Sequence, residues 1–165
     1  MIIQLADYIL DVDVERTRTY YERPDVPTTS EGCTCWGCRN FDKAIVTAPA
    51  TVTDFLHSLG IDPRKPLEVF SVKGEREPDG TVWYNGWYHV CGKVIKNSDN
   101  VQVHVDDKGR EIVTYDWAKA YTPDAEYPFE IMPMPQTDLL HKDFPTPAIQ
   151  LEFDTRLPYV LKESR

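Results

Sequence analysis

"TVWYNGWYHVCGKVIKN", residues 81–97, is the stretch on which the fold turns. Two readings of it are open. In the first it is one long strand, kinked at Asn85–Gly86 or at Gly92, where glycine admits a bulge or a close backbone approach. In the second, Asn85–Gly86 is a tight hairpin turn between two short aromatic strands. Either way, alternation sets Trp83 with Trp87 on one face and Tyr84 with Tyr88 on the other. The ordinary role of such residues is sheet core and cross-strand pairing. Their functional role would be an aromatic anchor for a protein partner, and these four are the candidate partner-contacting residues. A platform for stacked nucleotide bases needs basic neighbours, and here only Lys93 and Lys96 offer charge of that sign.

The pattern on both sides of this stretch is β downstream and mostly helical upstream. Residues 66–74, "PLEVFSVKG", read as a strand, and "EREPDG" reads as a turn. "NVQVHVDDKGREIVTYDW" is the clearest hairpin, with Asp106 and Asp107 making its turn. "YPFEIMPM" and "AIQLEFDTRLPYVL" read as two further strands, and the proline on or beside each places them at sheet edges. Between them, residues 135–147 form a long loop or one irregular helical turn. Upstream, "ADYILDVDV" is a short strand with Tyr8, Leu10 and Val12 on one face. Asp13 then caps a helix over "VERTRTYYER". "PDVPTTSEG" is a loop. "CRNFDKAIVTA" sets Phe41, Ile45 and Ala48 on one helical face, and Pro49 stops it. "TVTDFLHSLG" repeats the pattern with Val52, Phe55, Leu56 and Leu59, and Gly60 fits the position just past the helix end. The layout predicts an α+β fold, with short N-terminal helices on a mostly antiparallel sheet of five or more strands.

The chain of 165 residues is expected to be one domain, 1–165. Its first residues lack the basic start and small-residue cleavage site of a signal peptide, and no apolar run reaches membrane length. A cytoplasmic location follows as the expectation, where thiols stay reduced. The net charge is −9, concentrated toward the ends: residues 1–32 hold 7 acids against 3 bases, and 120–165 hold 8 against 4. Direct binding to a phosphate backbone is disfavoured, whereas a basic protein partner is compatible.

The most specific motif is "CTCWGCRN", residues 33–40. Three cysteines in six positions at a helix start suit a structural zinc ion, with Cys35 and Cys38 projecting to one side and Cys33 adding a third thiolate. The fourth ligand would be His89 or Cys91, which are two apart on the strand and share a face. A redox pair, Cys35 with Cys38, is the alternative, since a helix N-terminus favours a thiolate. The missing strand directly before the motif argues against a thioredoxin-like arrangement. Simple packing of reduced thiols is the third reading.

Together, "CTCWGCRNF", "LGIDPRKPLEV", "NGWYHVCG" and "LEFDTRLPYVL" resemble a group of small bacterial and phage-borne proteins that carry C-x-C-x-x-C-x-N-aromatic and an aromatic-rich strand. The resemblance implies one compact domain and nothing about activity.

Glu152 and Asp154 alternate on a strand and share a face, without a proton donor beside them. No G-x-S-x-G elbow and no glycine-rich phosphate loop is present. The leading expectation is therefore a small acidic binding protein without catalysis, of the kind a phage uses to inhibit a host nucleic-acid-handling defence enzyme. A thiol-based redox protein or sensor is second. A zinc-dependent hydrolase with an open metal position is third.

Overall fold

The computed structural model describes residues 1–99, 101–134, 137, 139–141 and 143–162. In chain order the elements are β1 (Ile2–Leu5), β2 (Tyr8–Val12), α1 (Val14–Tyr21), α2 (Thr29–Gly32), α3 (Trp36–Ala44), α4 (Ala50–Ser58), β3 (Glu68–Ser71), β4 (Thr81–Lys96), β5 (Val101–Val105), β6 (Glu111–Tyr115), β7 (Phe129–Met134) and β8 (Ala148–Pro158). The fold is α+β. Its six-stranded antiparallel sheet runs β1-β2-β4-β8-β7, with β3 also on β4, and β5–β6 form a separate hairpin. Two strands precede the four α-helices, so the helices are inserted into the sheet's connectivity rather than standing ahead of it.

The stretch 81–97 resolves as one strand of 16 residues, and the hairpin alternative falls. Its glycines permit close approach. A Cβ on Gly86 would lie 2.3 Å from the Glu68 carbonyl oxygen and 2.7 Å from Cζ of Phe153. At Gly92 the backbone has φ of 152°, and a Cβ there would meet the Asp11 oxygen at 2.1 Å. β4 is thus the spine of the sheet. β8 covers one edge from Thr81 to Cys91, while β3 (on Tyr84–Trp87) and β2 (on Gly92–Lys96) share the other.

Between those two partners the β4 edge is closed by helix α1. The Tyr21 hydroxyl donates to the His89 carbonyl at 3.0 Å and accepts from the His89 N–H at 3.2 Å. Thr17 Oγ1 accepts from the Cys91 N–H at 2.9 Å, and the Asp13 N–H donates to the Cys91 carbonyl at 2.8 Å. Side chains of a helix here do the work of a missing strand, which buried backbone groups require. Asp13 also caps α1, accepting from the Arg16 N–H at 3.2 Å as its sequence position predicts.

One sheet face carries Tyr84, Tyr88, Val90, Leu151, Phe153 and Ile131, all fully buried. Phe41 of α3 stacks on Phe153 at 5.7 Å and meets Tyr84 edge-on at 5.3 Å, which joins helix to sheet. Ile45, Val52, Leu56 and Leu59 are buried in the same core, as their helical spacing predicts.

Three sequence expectations are corrected. β8 lies between β4 and β7, so of β7 and β8 only β7 lies at a sheet edge. Pro158 is tolerated because it ends β8. The expected loop before the cysteines contains α2. β1 was not foreseen; it pairs with β2 through a tight turn in which Ala6 has φ of 49°. Of the expected loop 135–147, Pro135, Gln136, Asp138 and Lys142 lie outside the described residues.

Candidate functional site

Two constellations stand out, one on the helical layer and one on the opposite sheet face. The first is the cysteine motif. Cys33 ends α2, and Cys35 is the N-cap of α3, its sulfur accepting from the Cys38 N–H at 3.4 Å. The sulfurs of Cys33, Cys35 and Cys38 all lie within 4.8 Å of one another, and the group can hold a metal ion. Cys33 and Cys35 are exposed and Cys38 is buried. A tetrahedral ion with metal–sulfur bonds near 2.3 Å needs sulfurs about 3.8 Å apart, within reach of small side-chain rotations.

Burial pushes the Cys38 thiol up, and the neighbouring Cys33 and Cys35 sulfurs push it further. Burial also opposes ionisation of Cys35. There the Cys38 N–H, the Cys33 and Cys38 thiols and the Gly37 N–H outweigh it, so the thiol lies below its ordinary value.

Two contacts anchor the motif. The Tyr84 hydroxyl donates to the Gly37 carbonyl at 3.0 Å, and Asn40 Nδ2 donates to Tyr84 Oη at 3.1 Å. On the other side Asp42 accepts from Ser30 and from Arg64 Nε at 2.6 Å, tying α2, α3 and the 62–66 turn together.

His89 and Cys91 are not among the three converging ligands. They follow Tyr84 by five and seven residues, roughly 16 and 23 Å of extended strand, and alternate onto the opposite sheet face. His89 Nε2 faces Gln150 Oε1 at 3.3 Å, its ring lies 5.5 Å from Phe144, and it lines a small pocket of about 240 Å³ with Tyr20, Tyr21 and His141. Cys91 is buried beside Thr17, and burial raises its thiol.

The second constellation is the outer sheet face. Register aligns Phe70, Asn85, Asp154 and Glu130 in one row across four strands, and Glu68, Trp87, Glu152 and Met132 in the next. Of these, Phe70, Asn85, Trp87, Glu130, Glu152 and Asp154 line an open groove of about 650 Å³ together with Trp83 and Trp117. Asp154 Oδ2 accepts from Trp83 Nε1 at 2.7 Å and from Asn85 Nδ2 at 2.5 Å. Glu130 stands directly opposite Asp154; burial raises its carboxyl, and the Asp154 charge raises it further. Like charges in directly opposite positions destabilise a sheet. Two cations reach Trp83 from the rim: the Arg156 guanidinium at 5.1 Å and Lys73 Nζ at 5.8 Å from the ring centre.

Of the four aromatic residues singled out in the sequence, Trp83 and Trp87 belong to this groove. Tyr84 and Tyr88 face the core, fully buried. Phe70, Glu130 and Trp117 were missed, because the first two arrive by a strand register that the sequence does not display and Trp117 comes from a short helical turn after β6. The alternation of Glu152 with Asp154 was the one legible signal on β8.

Comparison with known proteins gives no significant match to a family model, a curated protein or a solved structure. Among the described residues no helix is long and apolar enough to cross a membrane.

Proposed function

We propose that the protein is a non-catalytic, acidic binding protein whose outer sheet face receives an arginine-bearing segment of a basic partner. The observation that carries this reading is the groove itself: Trp83, Trp87, Trp117 and Phe70 beside Glu130, Glu152 and Asp154. A guanidinium is flat, stacks on indole and pairs with carboxylates through a planar fork, which a lysine ammonium does not. The net charge of −9 steers a basic partner toward the protein. The carboxylates do not converge as metal ligands do, since among the described residues the three thiols are the one group of three or more potential ligands within 4.8 Å of one another. A partner of this charge fits an inhibitor of a nucleic-acid-handling enzyme. Cys33, Cys35 and Cys38 hold a structural zinc ion in the same reading, which fixes the start of α3.

The test is a binding titration with a short arginine-rich peptide, its lysine counterpart and a neutral oligosaccharide. The reading expects the arginine peptide to bind best, and Glu152→Gln to weaken it about tenfold, the order of one desolvated charge contact. Preference for the oligosaccharide, or equal binding by the variant, would overturn it.

A second reading is favoured by the depressed Cys35 thiol beside two further sulfurs: a redox sensor that forms a Cys35–Cys38 disulfide. Mass mapping after mild peroxide treatment separates the two readings, because a zinc-bound cluster resists oxidation until the metal is removed.

A further inference from the structure

The three sulfurs make an incomplete tetrahedron, and the incompleteness has a direction. We infer that Cys33, Cys35 and Cys38 form a three-thiolate site whose fourth position is open to solvent and takes an exogenous donor. This rests on the zinc reading above and departs from a closed structural site. Closed sites use four protein ligands, whereas three protein ligands plus a solvent or substrate molecule define an open one.

Four observations carry it. Among the described residues no His, Cys, Asp or Glu joins the three sulfurs within 4.8 Å. The two residues that strand spacing offered as fourth ligand are committed elsewhere: His89 faces Gln150 and Phe144, and Cys91 is buried beside Thr17. The one carboxylate on α3, Asp42, is held by Arg64 and Ser30. Meanwhile Cys33 and Cys35 are exposed while Cys38 is buried, so the ion would sit with its protein side toward the core and its free side toward water.

Binding forms three metal–sulfur bonds and releases the thiol protons to solvent; no electron is transferred. The ligand class for the open position is a small donor such as water, imidazole or a thiolate. A side chain of a docked partner offers the same donor chemistry.

Cobalt(II) is the probe, because its visible bands report coordination. Reduced protein is titrated with cobalt(II) alone, then with added imidazole. The expected result is one ion per chain, sulfur charge-transfer bands, and visible bands that shift on adding imidazole. Cys38→Ser should abolish the sulfur bands, while His89→Ala and Cys91→Ala should leave them unchanged. Failure to take up cobalt removes the zinc reading itself. Uptake with bands that imidazole does not move, or loss of the spectrum in either the His89 or the Cys91 variant, overturns the open position alone. Circular dichroism of each variant distinguishes a lost site from a lost fold.

Discussion

The Tyr84 hydroxyl donates to the Gly37 carbonyl inside the Cys35–Cys38 turn, at 3.0 Å. It links the spine strand to the turn that carries the thiols. Tyr84→Phe keeps the ring contact with Phe41 but removes this bond and the acceptor for Asn40 Nδ2. The expected cost is about 1–3 kcal/mol in denaturant unfolding, with weaker metal retention against a chelator. Unchanged metal retention would mean that the turn is set by α3 alone.

Tyr21 replaces a strand on the β4 edge that β3 and β2 leave open between them. Tyr21→Phe removes a donor and an acceptor from the backbone of His89 at once. A loss of about 1–3 kcal/mol is expected, together with faster amide exchange at His89 relative to Tyr84. Exchange that stays equal at both positions would refute the strand-substitute role of α1.

Asp42 gives the pH dependence. Burial opposes its charge, but Arg64 and Ser30 outweigh burial and hold the carboxyl below its ordinary value. A lowered folded pKa stabilises the fold above the unfolded carboxylate value, about 3.9, and that stability is lost as pH falls below it. Arg64 is 45% exposed, so solvent screens part of the pair. Asp42→Asn should therefore cost about 1–2 kcal/mol at neutral pH and progressively less below pH ~4. A difference that is flat with pH would place the cost in packing instead.

Gly86→Ala tests the spine. Its Cβ would meet the Glu68 carbonyl oxygen at 2.3 Å and the Phe153 ring at 2.7 Å, both inside the sheet. About 3 kcal/mol of destabilisation is expected from overpacking. A neutral result would favour a flexible turn at Asn85–Gly86.

Local pattern made much of this fold legible. Helical spacing located Phe41, Ile45, Val52 and Leu56 in the core, and Asp13 announced the start of α1. The double meaning of Asn85–Gly86 was not resolvable locally, because what forbids a side chain at Gly86 is the Glu68 carbonyl, 18 positions away, and the Phe153 ring, 67 positions away in the chain. For the same reason Glu130 could not be assigned to the groove: its place opposite Asp154 is a matter of strand register. The three thiols were legible because their geometry is nearly all local, set by the end of α2 and the cap of α3. The proposed fourth ligand was not, since sharing a strand face says nothing about which element that face meets.

The four tryptophans supply the decisive measurement for the binding face. Trp83, Trp87 and Trp117 line the groove, while Trp36 lies on α3 against Tyr159. Indole N–H signals are followed by NMR as an arginine-rich peptide is added. The binding-face account predicts that the signals of Trp83, Trp87 and Trp117 shift and that of Trp36 stays. A saturable shift of Trp36 without the other three, or no shift at any tryptophan, would contradict it.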